Sequence, residues 1–173
     1  MNLRILFVST GLDIGGAERT LQRLVIELAR RGHQLCVCSL GEGGVIAEEL
    51  AQQSVEVQTV GFQKRPSDLL KLGDLRRIIK SHQPDIVQTW MYHADLAGGL
   101  MARWFSGAPV VWGVRQSNLD SHKSKRLTRW VVAVNAWLSR WVPACVIYCA
   151  IAAARVHRQV GYVPRSEHVI QNG

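Results

Sequence analysis

Three glycines, Gly11, Gly15 and Gly16, fall between an apolar run, Ile5 to Val8, and a long stretch with helical periodicity. Glycine admits positive φ and lets another group come close to the backbone. At a helix start, free N–H groups and the positive end of the macrodipole suit an anion such as a phosphate. A tight strand-to-helix turn with no ligand would use the same residues. The spacing does not fit the G-x-G-x-x-G turn of dinucleotide-binding proteins, and no G-K-[ST] of a P-loop follows. Glu18, in the first helical turn, suits the helix dipole, and capping alone would explain it.

Two later segments place polar groups after apolar runs. His93 and Asp95 follow "DIVQTW" at the expected start of a helix. An imidazole suits a hydrogen bond to an acceptor hydroxyl or a phosphate, and equally a helix cap or a solvent-facing position. Trp90 would stack on a sugar face, but core packing is the better reading because Trp buries so much apolar area. After "VVWGV" come Arg115, Ser117 and Asn118. Arginine is a permanent cation with a fork of donors, made for phosphate or carboxylate and unable to act as a base. Ser117 and Asn118 add a hydroxyl and an amide; a plain surface loop is the alternative for all three. The basic run His122, Lys123, Lys125, Arg126 and Arg129 follows. It suits an anionic lipid surface or a lipid-diphosphate acceptor, or it is simply a solvated face.

Strand-like and helix-like segments alternate around these groups. "LRILFVS", "QLCVCSL", "VEVQTV", "DIVQTW", "PVVWGV", "CVIYCA" and "EHVIQNG" read as strands. The segments between them read as helices: about Ala17–Arg31, "VIAEELAQQ", Asp68–His82, "ADLAGGLMARWF", about Lys125–Trp141 and "AAARVHRQVG". In the first helix Leu21, Leu24, Val25 and Leu28 recur at i, i+3, i+4 and i+7. In the third, Leu69, Leu72, Ile78 and Ile79 form the inner side. Such alternation predicts an α/β domain, a doubly wound and mostly parallel Rossmann-like sheet of about seven strands with helices on both faces. Ligands of such sheets bind at the carboxyl ends of the strands. The fifth helix carries Leu127, Trp130, Val131, Val134, Trp137, Leu138 and Trp141 in one stripe. A core-facing stripe is expected, since a crossover helix must bury one face. Val132, Ala133 and Ala136 lie off it, and this apolar surplus beside arginines leaves a membrane interface open.

The chain has 173 residues, 47% hydrophobic and 20% charged, enough for one well-buried domain. Its net charge of +8 favours anionic partners. Cys36 and Cys38 share one strand face, no second cluster shows zinc-finger spacing and no histidine lies nearby at the usual offsets, so all four read as reduced thiols and no metal is expected. No apolar stretch reaches the roughly 18 residues of a membrane span. The expected protein is cytoplasmic or lies on a membrane surface.

"GGAERTLQRLVIELARRGH" resembles the first βα unit of retaining glycosyltransferases of family 4, which have the two-domain GT-B fold. "QPDIVQTWMYHADLAG", "VVWGVRQSN" and "VIQNG" are similar, in order, to that family's fourth strand and loop, its fifth strand and loop, and its interdomain segment. The resemblance implies that residues 1–173 are the amino-terminal, acceptor-side half of a larger enzyme. The carboxy-terminal domain, with its pair of glutamates, would bind most of the nucleotide-sugar donor. Gly15, Gly16 and Arg115 would face the donor diphosphate; His93, Asp95, Ser117 and Asn118 would meet the acceptor or sugar. Lys123, Lys125, Arg126, Arg129, Trp130 and Trp137 would meet a membrane or an anionic acceptor. Many relatives have a histidine near the position of Arg115, so the sugar contact there does not carry over, while an anion contact fits. The implied partners are the missing domain, a nucleotide-sugar and a glycan or glycolipid acceptor, without nucleic acid. The nucleotide-sugar is a substrate, and no cofactor is expected. The implied role is polysaccharide or glycolipid synthesis. Two other readings stand beside it. An NAD-type oxidoreductase would want the regular glycine spacing and an acidic residue closing the second strand, near Glu42. A non-catalytic module would bind lipid or a partner through this half alone.

Overall fold

The apolar runs become strands because both faces of each are covered. In β1 (Arg4–Ser9), Leu6 and Val8 point to one layer of core while Ile5 and Phe7 point to the other. The same split occurs in β2 (Gln34–Ser39), where Cys36 and Cys38 face one layer and Leu35 and Val37 the other. Near-continuous burial of this kind marks a parallel sheet. The computed structural model describes residues 2–63, 65, 68, 70–116 and 126–171. Five further strands are β3 (Glu56–Thr59), β4 (Ile86–Trp90), β5 (Val110–Val114), β6 (Cys145–Tyr148) and β7 (Glu167–Val169). The order is β3-β2-β1-β4-β5-β6-β7, and every pairing is parallel.

Helices α1 (Gly16–Arg30) and α2 (Val45–Gln52) cover one face; α3 (Leu72–His82), α4 (Tyr92–Phe105), α5 (Arg126–Leu138) and α6 (Ile151–Gln159) cover the other. The expected doubly wound architecture is present. None of the described helices is long and apolar enough to cross a membrane. The four cysteines are free, Cys36 and Cys38 buried.

Two expectations change. The third helix begins at Leu72 rather than Asp68, because the Asp68 carboxylate accepts the backbone N–H groups of Gln63 and Arg65 and organises a turn there. Leu75 and Ile79 are its buried residues, and Leu69 lies outside the described residues. The fifth helix is rotated relative to the expected stripe. Val131, Val132, Asn135, Ala136 and Leu138 face inward, whereas Trp130 and Trp137 are 61% and 64% exposed. Leu127 and Trp141 are exposed as well. The physical reason is polar. Asn135 Nδ2 donates to the carbonyl of Tyr92 at 2.9 Å inside the core, and that bond fixes which face turns in.

The paired glycines of α4 bring its backbone close to the sheet. A Cβ on Gly98 would lie 2.8 Å from Val8 Cγ1, and one on Gly99 2.6 Å from Trp112 Nε1. Two missing side chains let α4 settle on the sheet beside the β1–β4 boundary.

Candidate functional site

The chain leaves β1 toward β2 on one side, whereas β4 pairs on the other, so the connections diverge at the carboxyl ends of β1 and β4. A doubly wound sheet opens its ligand crevice at this switch point. The loop after β1, the start of α1, Met91 after β4 and Arg115 after β5 all lie here.

The β1 loop is braced from the neighbouring unit. Leu12 is fully buried, and its carbonyl accepts the N–H of Ile46 from the start of α2 at 3.0 Å. None of Gly11, Gly15 and Gly16 has positive φ; Gly15 is extended at φ −162°. The expected use of left-handed backbone is therefore absent, and what the glycines provide is space. Cβ positions at Gly11 and Gly16 point into open space. The Glu18 carboxylate occupies the room beside Gly15, without a side-chain cap bond to the helix start. A carboxylate thus sits near the positive end of α1, where a stronger anion would compete with it.

Trp90 links the elements. It is fully buried, as its core reading predicts, and its indole N–H donates to the carbonyl of Ala17 at 2.9 Å. The Arg115 guanidinium lies over its ring, 3.7 Å from the centroid, in a cation–π contact. Gly113 makes room for this, because a Cβ there would come within 3.2 Å of Trp90 Cε3. One side chain from β4 therefore brings Arg115 beside the first turn of α1. Burial draws the Arg115 pKa down while Cys149 and Asp95 oppose it, and an arginine so placed keeps its charge.

Asp95 lies beneath this layer, not on it. It is fully buried, and its Oδ1 accepts from the Thr89 hydroxyl at 2.5 Å. Burial raises its carboxyl well above the ordinary range, against the Thr89 and Gly113 hydrogen bonds and the Arg115 charge. His93 is half-buried in the first turn of α4. Met91, which precedes that helix, holds φ 75° and ψ 158°, a conformation costly for any residue with a side chain. Ser117, Asn118, Lys123 and Lys125, with His122, lie outside the described residues. Arg126, Arg129, Trp130 and Trp137 lie on the outer side of α5.

Two side-chain groupings escape the sequence reading. His157 is fully buried under α4, its Nδ1 2.7 Å from the Ala153 carbonyl and its Nε2 2.7 Å from the Tyr92 hydroxyl. The carbonyl can only accept, so Nδ1 carries the proton and Nε2 accepts from Tyr92. Tyr148 and Tyr162 close around the ring, with centroids at 5.8 and 5.0 Å. Burial lowers the His157 pKa. The second grouping is Cys36, Glu56 and His82, with ligand-type atoms within 4.8 Å of one another, toward the amino ends of the strands and away from the crevice. Burial, and then the Glu56 charge, push the Cys36 thiol far above its usual range. A thiol held protonated is a poor metal ligand, and His82 Nδ1 lies 3.9 Å from Glu56, too far for a hydrogen bond, while burial lowers the His82 pKa. The residues stand far apart in sequence, so no spacing motif announces them.

A parallel sheet of this order, with a glycine-lined helix start and a stacked arginine at its switch point, defines a Rossmann-like lobe suited to a phosphorylated ligand. Residues 14–173 match the family model described as Glycosyltransferase Family 4, and the chain belongs to that family. Among solved structures, Anabaena Alr3699/HepE in complex with UDP and glucose is similar at a TM-score of 0.80 and 20% identity, over 99% of this chain and 45% of that one. A glycosyltransferase from Rickettsia africae is similar at 0.69 and 19%, over 99% and 43%. A UDP-GlcNAc 2-epimerase from Methanocaldococcus jannaschii is similar at 0.66 and 11%, over 97% and 45%. Identities this low speak for the fold, and an epimerase shares it, so it is the family match that carries the transferase class. The chain spans less than half the length of these solved relatives. A search of curated proteins found none that matches.

Proposed function

We propose that this chain is the acceptor-side lobe of an enzyme that moves a sugar, with retention of anomeric configuration, from a nucleotide-sugar to an acceptor hydroxyl. The acceptor is a glycan or glycolipid of polysaccharide or glycolipid synthesis. The observation that carries the reading is the contact chain Ala17–Trp90–Arg115, which sets a guanidinium beside an open helix start. Both elements suit the charge that a leaving nucleoside diphosphate develops. A second lobe, beyond the length of this chain, would hold the rest of the donor. A uridine diphosphate sugar is the first donor to try, because HepE was crystallised with UDP-glucose.

The arginines and exposed tryptophans of α5 support work at the inner membrane face, peripherally bound. A nicotinamide-dependent reading has less support, since the glycine spacing does not fit it.

The test is turnover of nucleotide-sugar by the enzyme with both lobes present. Arg115→Ala removes a charge-assisted contact and should lower kcat/KM by about 10- to 100-fold, the equivalent of about 1.5–3 kcal/mol. Gly16→Trp fills the open space at the helix start and should abolish turnover while the fold persists by circular dichroism. Unchanged kinetics in both variants would remove the donor assignment.

A further inference from the structure

Three elements bring chemistry-bearing side chains together toward the amino ends of the strands. Cys36 on β2 and Glu56 on β3 are register partners in adjacent parallel strands, so both side chains leave the same face of the sheet. That face is the one α3 covers, and His82 is the last residue of α3. Gln83 follows in left-handed backbone at φ 45°, which ends the helix and fixes where the imidazole stands. The Cys36 sulfur, a Glu56 oxygen and a His82 ring nitrogen lie within 4.8 Å of one another.

Each group is presented as a ligand. Cys36 is fully buried, and the His82 side chain is only 12% exposed. His82 Nε2 is buried with no hydrogen-bond partner among the described residues, and a buried polar atom of this kind calls for one. Burial, aided by the Arg4 charge, lowers the His82 pKa against Glu56, the Ile5 backbone and Asp85, so the ring is neutral and keeps a lone pair for a metal. Arg4 itself is paired with Asp85. Gln58 Nε2 donates to Glu56 Oε1 at 3.1 Å and steadies the carboxylate, whose Oε2 faces His82. Thiol, imidazole and carboxylate together are a donor set for zinc and its soft relatives, not for magnesium or calcium.

We propose that Cys36, Glu56 and His82 form a zinc site that ties the edge strand β3 to β2 and to the end of α3. Zinc–ligand bonds of about 2.0–2.3 Å need donor atoms roughly 3.3–3.6 Å apart, so closing the cluster asks about an ångström of the exposed Glu56 side chain and the His82 ring. Water takes the fourth, tetrahedral position. The proton on Cys36 is the obstacle to metal, and binding removes it: the sulfur passes its proton to solvent and bonds to zinc in its place. Burial beside a carboxylate disfavours a bare thiolate, and the same surroundings favour a cation. Cys38, on the same face of β2, has its pKa pushed up to about 12 by burial and lies outside the cluster. β3 has four residues and pairs with β2 alone, so a metal gives it a second anchor. The site lies at the other end of the strands from Arg115 and is independent of the glycosyl-transfer reading.

The test titrates cadmium, a spectroscopic stand-in for zinc, into the reduced, chelator-treated chain and follows the ultraviolet thiolate-to-metal charge-transfer band. One equivalent should saturate the band; zinc should displace it and magnesium should not. Cys36→Ser should lose it, whereas Cys38→Ser, Cys145→Ser and Cys149→Ser should each keep it. Glu56→Gln, at an exposed position that leaves the core alone, and His82→Gln should each weaken cadmium binding at least about tenfold. These two variants decide the matter if Cys36→Ser does not fold. Zinc should also slow amide exchange across β3, and do so less in Glu56→Gln. No band in the folded native chain, a band that survives Cys36→Ser, or binding unmoved by either Glu56→Gln or His82→Gln overturns the site. Zinc binding that leaves β3 exchange unchanged overturns the anchoring of β3.

Discussion

Asp95 and His157 show how far a side chain's chemistry depends on what covers it. Asp95 is an acid in the sequence and a buried carboxyl with a raised pKa in the fold. The unfolded chain gives up this proton near the ordinary value of 3.8, whereas the folded chain keeps it to higher pH. Stability therefore falls as pH rises from about 3.8 toward the raised value. Asp95→Asn keeps the shape and an acceptor for Thr89 and carries no ionisation. It should flatten that fall and raise Tm at its upper end, as pH-dependent calorimetry would show. His157 has the opposite sign. Its folded pKa is lowered, so below about 6.5 the unfolded chain binds a proton that the folded chain refuses, and stability declines with acid. His157→Gln should soften the decline in urea melts taken from pH 7 down to pH 5. A melt series unchanged by the substitution would mean that the acid response has another source.

At the scale of elements, α4 packs tightly on the sheet through Gly98 and Gly99. Its glycines lower intrinsic helix propensity, yet the helix forms, because packing against β1 and β5 outweighs propensity. Gly98→Ala gains helix propensity but drives a methyl to 2.8 Å from Val8 Cγ1. Overpacking of this kind costs about 1–3 kcal/mol, more than the roughly 1 kcal/mol of propensity regained, so urea denaturation should show net destabilisation. Gly73, on α3 with nothing within 4 Å of its Cβ position, is the control: Gly73→Ala should be neutral or stabilising. The α4 substitution should also disturb turnover, since Tyr92, His93 and Asp95 ride on the same helix.

For the molecule as a whole, all seven strands run parallel, so the loops after β1, β4 and β5 gather at one edge of the sheet. The chain covers 45% of HepE, and the proposed chemistry needs a second lobe for the donor. This chain alone should release no UDP from UDP-glucose above background in a coupled assay, although its fold is intact. Release at the rate of the two-lobe enzyme would show that one lobe suffices. Binding to anionic vesicles should weaken steeply between low and physiological salt, because exposed arginines act through a screened field.

The architecture was readable from residue order. Apolar runs alternating with amphipathic stretches leave few options besides a parallel, doubly wound sheet, since each run must cover both its faces and each crossover has one hand. The glycine turn, Trp90 and Arg115 were also visible as residues, but not their contact: a cation seated on an indole is made by the ends of β4 and β5 meeting beside the start of α1. The orientation of α5 was out of reach as well. Its tryptophans and valines compete for the core on hydrophobicity alone, and that contest favours tryptophan. The outcome was decided by Asn135, whose amide had to find the Tyr92 carbonyl, and that partner exists only once α4 is in place. Periodicity reports how apolar a face is; only the assembled fold decides which face a buried hydrogen bond turns inward.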